Sequence, residues 1–253
     1  MHGTDTRFET GRDWLDSALG DGLAIPSATV ISGPGGAGKP LLALGIVSSW
    51  LEAGGNVIAA PLQFPDPSFL AQTTADLYDL DLSAYPDQYV HVAFDPSIEG
   101  VESRADGGLR ANLVVPENWA ETVDAAKARL DGDGPGTLVF ATALNLPLFS
   151  PTHADGLIEA VGALFESDLT SVFCVSTSML EARAREVGSL ADTLIEASVI
   201  EAPKRLEFQV ERLDGERVES GPQDAPFDAS LLATIQQRAD GAKVVPTEQI
   251  KTR

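Results

Sequence analysis

Residues 30–55 read VISGPGGAGKPLLALGIVSSWLEAGG, and the succession of residue types in that stretch decides the fold. The run SATVISG (27–33) has the make-up of a short buried strand. LLALGIVSSWLEAG (41–54) repeats apolar residues at helical spacing and meets a stop at Gly54-Gly55. Between them lies GPGGAGKP (33–40), which fits GxxxxGK[ST] everywhere except its last position. A glycine-rich turn that leaves a strand and enters a helix presents free backbone N–H groups at the helix N-terminus, where phosphate oxygens can accept them. The stretch therefore predicts a phosphate-binding loop lined by Gly33, Gly35, Gly36, Ala37, Gly38, Lys39 and Leu41, with Lys39 reaching the outer phosphates as a point charge.

Pro40 stands where that pattern needs a hydroxyl. It removes the oxygen that would hold Mg²⁺. It removes one N–H that would face a phosphate, and it disfavours helical backbone at Lys39. Because proline is welcome at the first helical position, the expected arrangement puts Pro40 there and makes Lys39 the N-cap. Two lost charge-assisted contacts weaken binding by about 10²–10⁴. ATP is thus expected to bind weakly, and Mg²⁺ poorly.

Outward from the loop, strands and helices alternate. NVIAAPL (56–62), YVHVAF (89–94), TLVFATA (137–143) and TSVFCVST (170–177) read as strands. SFLAQTTADLYDL (68–80), ENWAETVDAAKARL (117–130), HADGLIEAVGALFES (153–167) and DASLLATIQQRA (228–239) read as helices. Residues 95–115 show no clear period and are expected to be an irregular insertion. DTLIEASVIEA (192–202), RLEFQVERL (205–213) and RVESG (217–221) read as antiparallel strands, the last two joined at the turn DGE (214–216). The expected fold is α/β: one domain over residues 1–240, with a mostly parallel sheet covered on both faces and antiparallel strands added late, then a flexible tail at 241–253.

Composition narrows the function. The 253 residues carry 38 Asp and Glu against 17 Lys and Arg, a formal net charge of -21, and only five of the basic residues are lysine. With 43% hydrophobic residues the chain can still bury a core. Such acidity repels nucleic acid and suits a solvated coat for high salt, where a Debye length of roughly 3 Å at about 1 M screens self-repulsion. MHGTDTRFETGRDW opens the chain without a signal-peptide pattern and no apolar run reaches membrane-spanning length, so a cytoplasmic protein without membrane attachment is expected. Cys174 lies in an apolar run and reads as a buried hydrophobe.

TGRDWLDSALGDGLAIPSATVISGPGGAGK (10–39) resembles the opening of KaiC-like members of the RecA-type P-loop ATPases. Gly11, Leu15-Asp16, Leu19-Gly20-Asp21-Gly22 and Pro26 stand in for that family's Gly, Leu-Asp pair, LGxG turn and Pro before the loop strand. The likeness continues at Ala191-Asp192, before the late strands. The acidic, Lys-poor make-up is similar to degenerate haloarchaeal transducer-like (HTR-like) proteins. The resemblance implies a RecA-like fold, and it also implies catalytic positions that this sequence does not fill. The Walker B acid falls on Ala141, followed by Thr142. The catalytic acidic pair falls on Leu62-Gln63, and an amide can orient water but cannot take its proton. Arg212 is a faint counterpart of late-strand basic residues that reach a neighbouring subunit, and reads better as a solvated hairpin charge. His2, His91 and His153 lack ligand spacing, Ser150 and Ser176 lack a nucleophile setting, and Asp131 and Asp133 read as a turn. Trp14, Trp50 and Trp119 suit core or interface packing. The expectation is a catalytically silent pseudo-ATPase acting with a protein partner or its own copies in regulation, signalling or assembly. The alternative is a slow ATPase or ATP-binding switch using a displaced acid such as Asp66. A recombinase role is opposed by the acidic surface.

Overall fold

A computed structural model of the chain describes residues 6–251. In chain order its elements begin with β1 (Thr6–Phe8), α1 (Asp13–Asp16), β2 (Leu23–Ile25), β3 (Ala28–Gly33), α2 (Lys39–Glu52), β4 (Asn56–Pro61) and α3 (Ser68–Tyr78). Next come β5 (Tyr89–Phe94), β6 (Val101–Ser103), β7 (Leu109–Ala111), α4 (Glu117–Lys127), β8 (Thr137–Thr142), α5 (Ala154–Phe165), β9 (Thr170–Ser176) and α6 (Glu181–Leu190). The chain continues through β10 (Thr193–Glu201), β11 (Lys204–Leu213), β12 (Glu216–Arg217), β13 (Gln223–Asp224), α7 (Ala229–Ala242) and α8 (Thr247–Lys251).

One large mixed sheet runs β12-β11-β10-β3-β9-β8-β4-β5-β7-β6, with β13 also on β11. From β10 to β7 neighbouring strands are parallel; β11 on β10 and β6 on β7 are antiparallel. The parallel strands are apolar on both faces because helices cover both. Along β8 the side chains alternate: Leu138 and Phe140 join the cluster under α2, while Val139 and Ala141 join the opposite cluster with Trp119, Leu157 and Phe173. Helix α2 is buried nearly all round, which its uniformly apolar sequence requires. Its Ser48 and Ser49 hydroxyls are satisfied by donating to the Leu44 and Gly45 carbonyls.

The N-terminal segment closes one edge of this core. Asp16 accepts from the Thr10 N–H and hydroxyl, and Leu15 and Leu19 are buried. Asp192 accepts from the Ala28 N–H at 2.8 Å, tying the start of β10 to the start of β3. All three tryptophans lie in packed settings: Trp50 against Phe8, Trp14 against Phe208 and Phe227, Trp119 against Phe173.

Two sequence expectations are corrected, and two helices, α6 and α8, are added to that reading. Residues 95–115 are not irregular, because β6 and β7 form a hairpin that adds to β5. Helix α6 was unread: its polar sequence hides a narrow buried stripe of Ala184, Val187 and Gly188. The stretch 217–221 forms little strand, since pairing ends at Arg217. Finally, α8 lies in the stretch expected to be a tail, and its Ile250 is fully buried in the core cluster.

Candidate functional site

The loop after β3 takes its shape from glycine. Gly38 is left-handed at φ +67°, and a Cβ there would lie 3.0 Å from Leu206 Cδ1. At Gly33 a Cβ would lie 2.2 Å from the Ala197 carbonyl oxygen, so a side chain would push β10 off β3. The Gly35 N–H donates to the Ser178 hydroxyl at 2.7 Å, which pins the loop to the segment after β9.

Gly38, not Lys39, is the N-cap of α2. The left-handed glycine ends the loop one residue earlier than the sequence reading placed it, so Lys39 is already helical and Pro40 follows it within the first turn. Proline fits there because the N–H it lacks has no partner inside the helix. Lys39 is buried, and its Nζ donates to the Gly33 carbonyl at 2.9 Å and the Pro34 carbonyl at 2.6 Å. Burial lowers its pKa from 10.5 to about 8, slightly offset by the nearby Cys174. Its ammonium is held by carbonyl dipoles, with no carboxylate paired to it among the described residues.

Gly35, Gly36, Ala37, Gly38, Lys39 and Leu41 line a cleft of about 210 Å³, while Gly33 stands behind it as an acceptor for Lys39. The cleft opens at the C-terminal ends of β3, β4, β8 and β9, where ligands of parallel sheets sit. From the end of β8 it receives Thr142, because Ala141 turns to the other face of the sheet. The last residue of β8, Thr142, is therefore the one that lines the cleft. It is a hydroxyl rather than a carboxylate. Thr142 is 2% exposed, and its Oγ1 has no hydrogen-bond partner. Asn145 and Ser176 complete that wall, with Asn145 Oδ1 accepting from the Ser176 N–H at 3.4 Å. Gln63 also lines the cleft, beside the stacked rings of Phe64 and Phe69. Asp66 does not reach it: the carboxylate is exposed and accepts from the Ser68 N–H, closing the turn before α3.

The β10–β11 hairpin and α7 form the roof. Val199, Lys204 and Leu206 come from the hairpin; Leu232, Ile235, Gln236, Ala239 and Asp240 come from α7, with Lys243 just past its end. The roof is tied down twice near the C-terminal end of α7. Arg238 pairs with Asp76 of α3 at 2.8 Å, and the Val244 N–H donates to the Gln63 carbonyl at 2.7 Å. Three of the chain's five lysines, Lys39, Lys204 and Lys243, thus meet at one cleft. Asp240 is the single carboxylate among its described lining residues; Lys243 pairs with it at 2.6 Å and, with Gln236 and then Lys204, holds its pKa below the usual range. Sequence reading missed Thr142 as a cleft-facing group, and it missed Lys204 and Lys243. The scarcity of lysine was the available signal, but nothing local places residues 204 and 243 beside residue 39.

The other singled-out residues have structural settings of their own. Arg212 donates to the Ser189 and Gly188 carbonyls, capping the C-terminal end of α6. The His91 Nε2 lies 3.2 Å from the Pro65 carbonyl oxygen, and burial pushes its pKa down to about 4. Ser150 accepts from the N–H groups of Thr152 and His153 ahead of α5. Cys174 is fully buried, with its pKa pushed up to about 12 by that burial. Among the described residues, no three or more His, Cys, Asp or Glu gather where they could hold a metal, and no helix is long and apolar enough to cross a membrane. His2 lies outside the described residues.

A phosphate group fits this cleft. It offers a helix N-terminus, a buried ammonium and an unpartnered hydroxyl. For a magnesium ion the cleft is poorly furnished: Pro40 has no side-chain oxygen, and Asp240, the single carboxylate among the described lining residues, is engaged by Lys243. No protein-family model matches the chain, and no curated protein matches it.

Proposed function

We propose that the chain is a KaiC-like, RecA-type P-loop protein that has kept a phosphate site and lost phosphoryl chemistry. On this reading it is a pseudo-ATPase serving a cytoplasmic regulatory, signalling or assembly role with a protein partner or further copies of itself. The observation that carries the reading is the charge of the cleft: three lysines and one already paired carboxylate surround the loop. Hydrolysis of a nucleoside triphosphate needs a group to orient or deprotonate water and a metal to bridge the phosphates. On this reading Ala141 and Gln63 hold the acid positions and Thr142 is the β8 residue that lines the cleft; none of the three can accept a proton from water. The mostly parallel sheet, with the glycine-rich loop joining β3 to α2, supports the fold assignment. The slow-ATPase alternative is disfavoured by the position of Asp66 outside the cleft.

The test is phosphate release from ATP with excess Mg²⁺ in molar KCl, run beside Lys39→Ala. Release indistinguishable from buffer is expected of both proteins. Steady turnover by the native chain that vanishes in Lys39→Ala would restore the ATPase reading.

A further inference from the structure

We propose that the cleft binds a di- or triphosphate group free of divalent metal, with Lys204 and Lys243 supplying the counter-charge that a magnesium ion would otherwise bring. The proposal rests on reading the loop as a phosphate site and goes beyond it by fixing the charge state of the ligand.

The helix N-terminus alone would not identify a ligand; three further features do. Thr142 buries a hydroxyl against the loop and leaves it without a partner, which is costly unless something in the cleft takes it up. Lys39 buries an ammonium with carbonyls as its acceptors. Lys204 and Lys243 arrive from two different elements, the hairpin and the end of α7, on a chain whose net charge is -21. A basic spot on a strongly acidic surface gathers anions locally against the field of the whole molecule. Three ammonium groups against the one carboxylate of Asp240 leave the cleft net positive, so the protein supplies charge that a polyphosphate would otherwise take from a metal.

Size narrows the class. A cavity of about 210 Å³ lies below the roughly 300–1,000 Å³ typical of sites that enclose whole drug-sized ligands. It suits the phosphate chain itself. That chain can come from inorganic polyphosphate, or from a nucleotide whose base and sugar lie outside or displace α7.

Calorimetric titration of the full chain in molar KCl tests the proposal, with sodium tripolyphosphate and ATP as probes, each in EDTA and in excess Mg²⁺. Binding in EDTA that weakens about tenfold or more with Mg²⁺ is expected. Lys204→Ala and Lys243→Ala should each lower the metal-free affinity by about tenfold, whereas Lys204→Arg and Lys243→Arg should largely keep it. Asp240→Asn should tighten binding by freeing Lys243, and loss of fold cannot mimic a tighter site. Tripolyphosphate binding as tightly as ATP would assign the inorganic source, and ATP binding alone would assign the nucleotide. Binding that requires Mg²⁺, or indifference to all the lysine and Asp240 changes, would overturn the proposal and leave the phosphate-loop reading intact. No binding of either probe under either condition would overturn both.

Discussion

At Lys39 an ammonium is buried with the Gly33 and Pro34 carbonyls as acceptors, and that arrangement makes the site sensitive to pH. Its folded pKa of about 8 lies below the ordinary 10.5, so between those values the unfolded chain holds more protons than the folded one. This group therefore makes stability rise with pH across that window, and its charge below it costs about 3 kcal/mol. A bound phosphate favours the charged form, so affinity should fall on the order of tenfold between pH 7 and 9.5. Lys204, Lys243 and Asp240 also face the cleft, and the Cys174 thiol, with its pKa near 12, stays neutral in this range. Comparison with Lys39→Met isolates the lysine: tripolyphosphate titrations of that variant should show a much flatter pH dependence, and an equal slope would assign the effect to the other groups. Pro40→Thr gives one N–H and one hydroxyl back to the first turn of α2. It should tighten ATP binding by about 1.5–3 kcal/mol, the worth of one charge-assisted contact, without starting hydrolysis. At this scale GPGGAGKP was legible because its chemistry is local. Thr142 was not, since the face a strand residue takes depends on register, and a shift of one position exchanges Ala141 for Thr142.

The element that governs access is α7. Asp228 caps it by accepting from the N–H groups of Ser230 and Leu231, and Leu232 and Ile235 bury against the core while lining the cleft. Asp228→Ala should cost about 1 kcal/mol of helix stability. Hydrogen exchange should then quicken in residues 229–242 and stay unchanged in α2. A looser roof should admit the bulk of a nucleoside, so ATP affinity should rise in this variant while tripolyphosphate affinity stays level. Equal changes for both probes would show that α7 does not limit access. Sequence periodicity found α2, α3, α4, α5 and α7 because each buries a clear apolar stripe or a whole apolar circumference. It passed over α6, whose buried stripe is three small or branched residues among charges, and β6–β7, which are three residues each and pair only through tertiary contact.

Over the whole molecule, the parallel core from β10 to β5 was readable as alternation of strand and helix, but the gathering of Lys39, Lys204 and Lys243 was not. That gathering depends on the late hairpin and α7 folding back over the first strand-loop-helix unit, a topological fact with no local trace. The net charge of -21 acts at the same scale. Lowering KCl from molar to roughly 0.1 M lengthens the Debye length from about 3 to about 10 Å and unscreens the surface, so the thermal midpoint should drop. A midpoint that does not move would show that the acidic coat is no adaptation to salt. Binding without turnover is the central claim, and phosphorus NMR of ATP with the purified chain and excess Mg²⁺, followed over a day, tests both halves at once. Because Mg²⁺ weakens but does not abolish binding on this account, the β and γ resonances should broaden and shift on adding protein and then persist, with no inorganic phosphate appearing. Unperturbed resonances at millimolar protein, or a growing inorganic phosphate signal that Lys39→Ala abolishes, would contradict it.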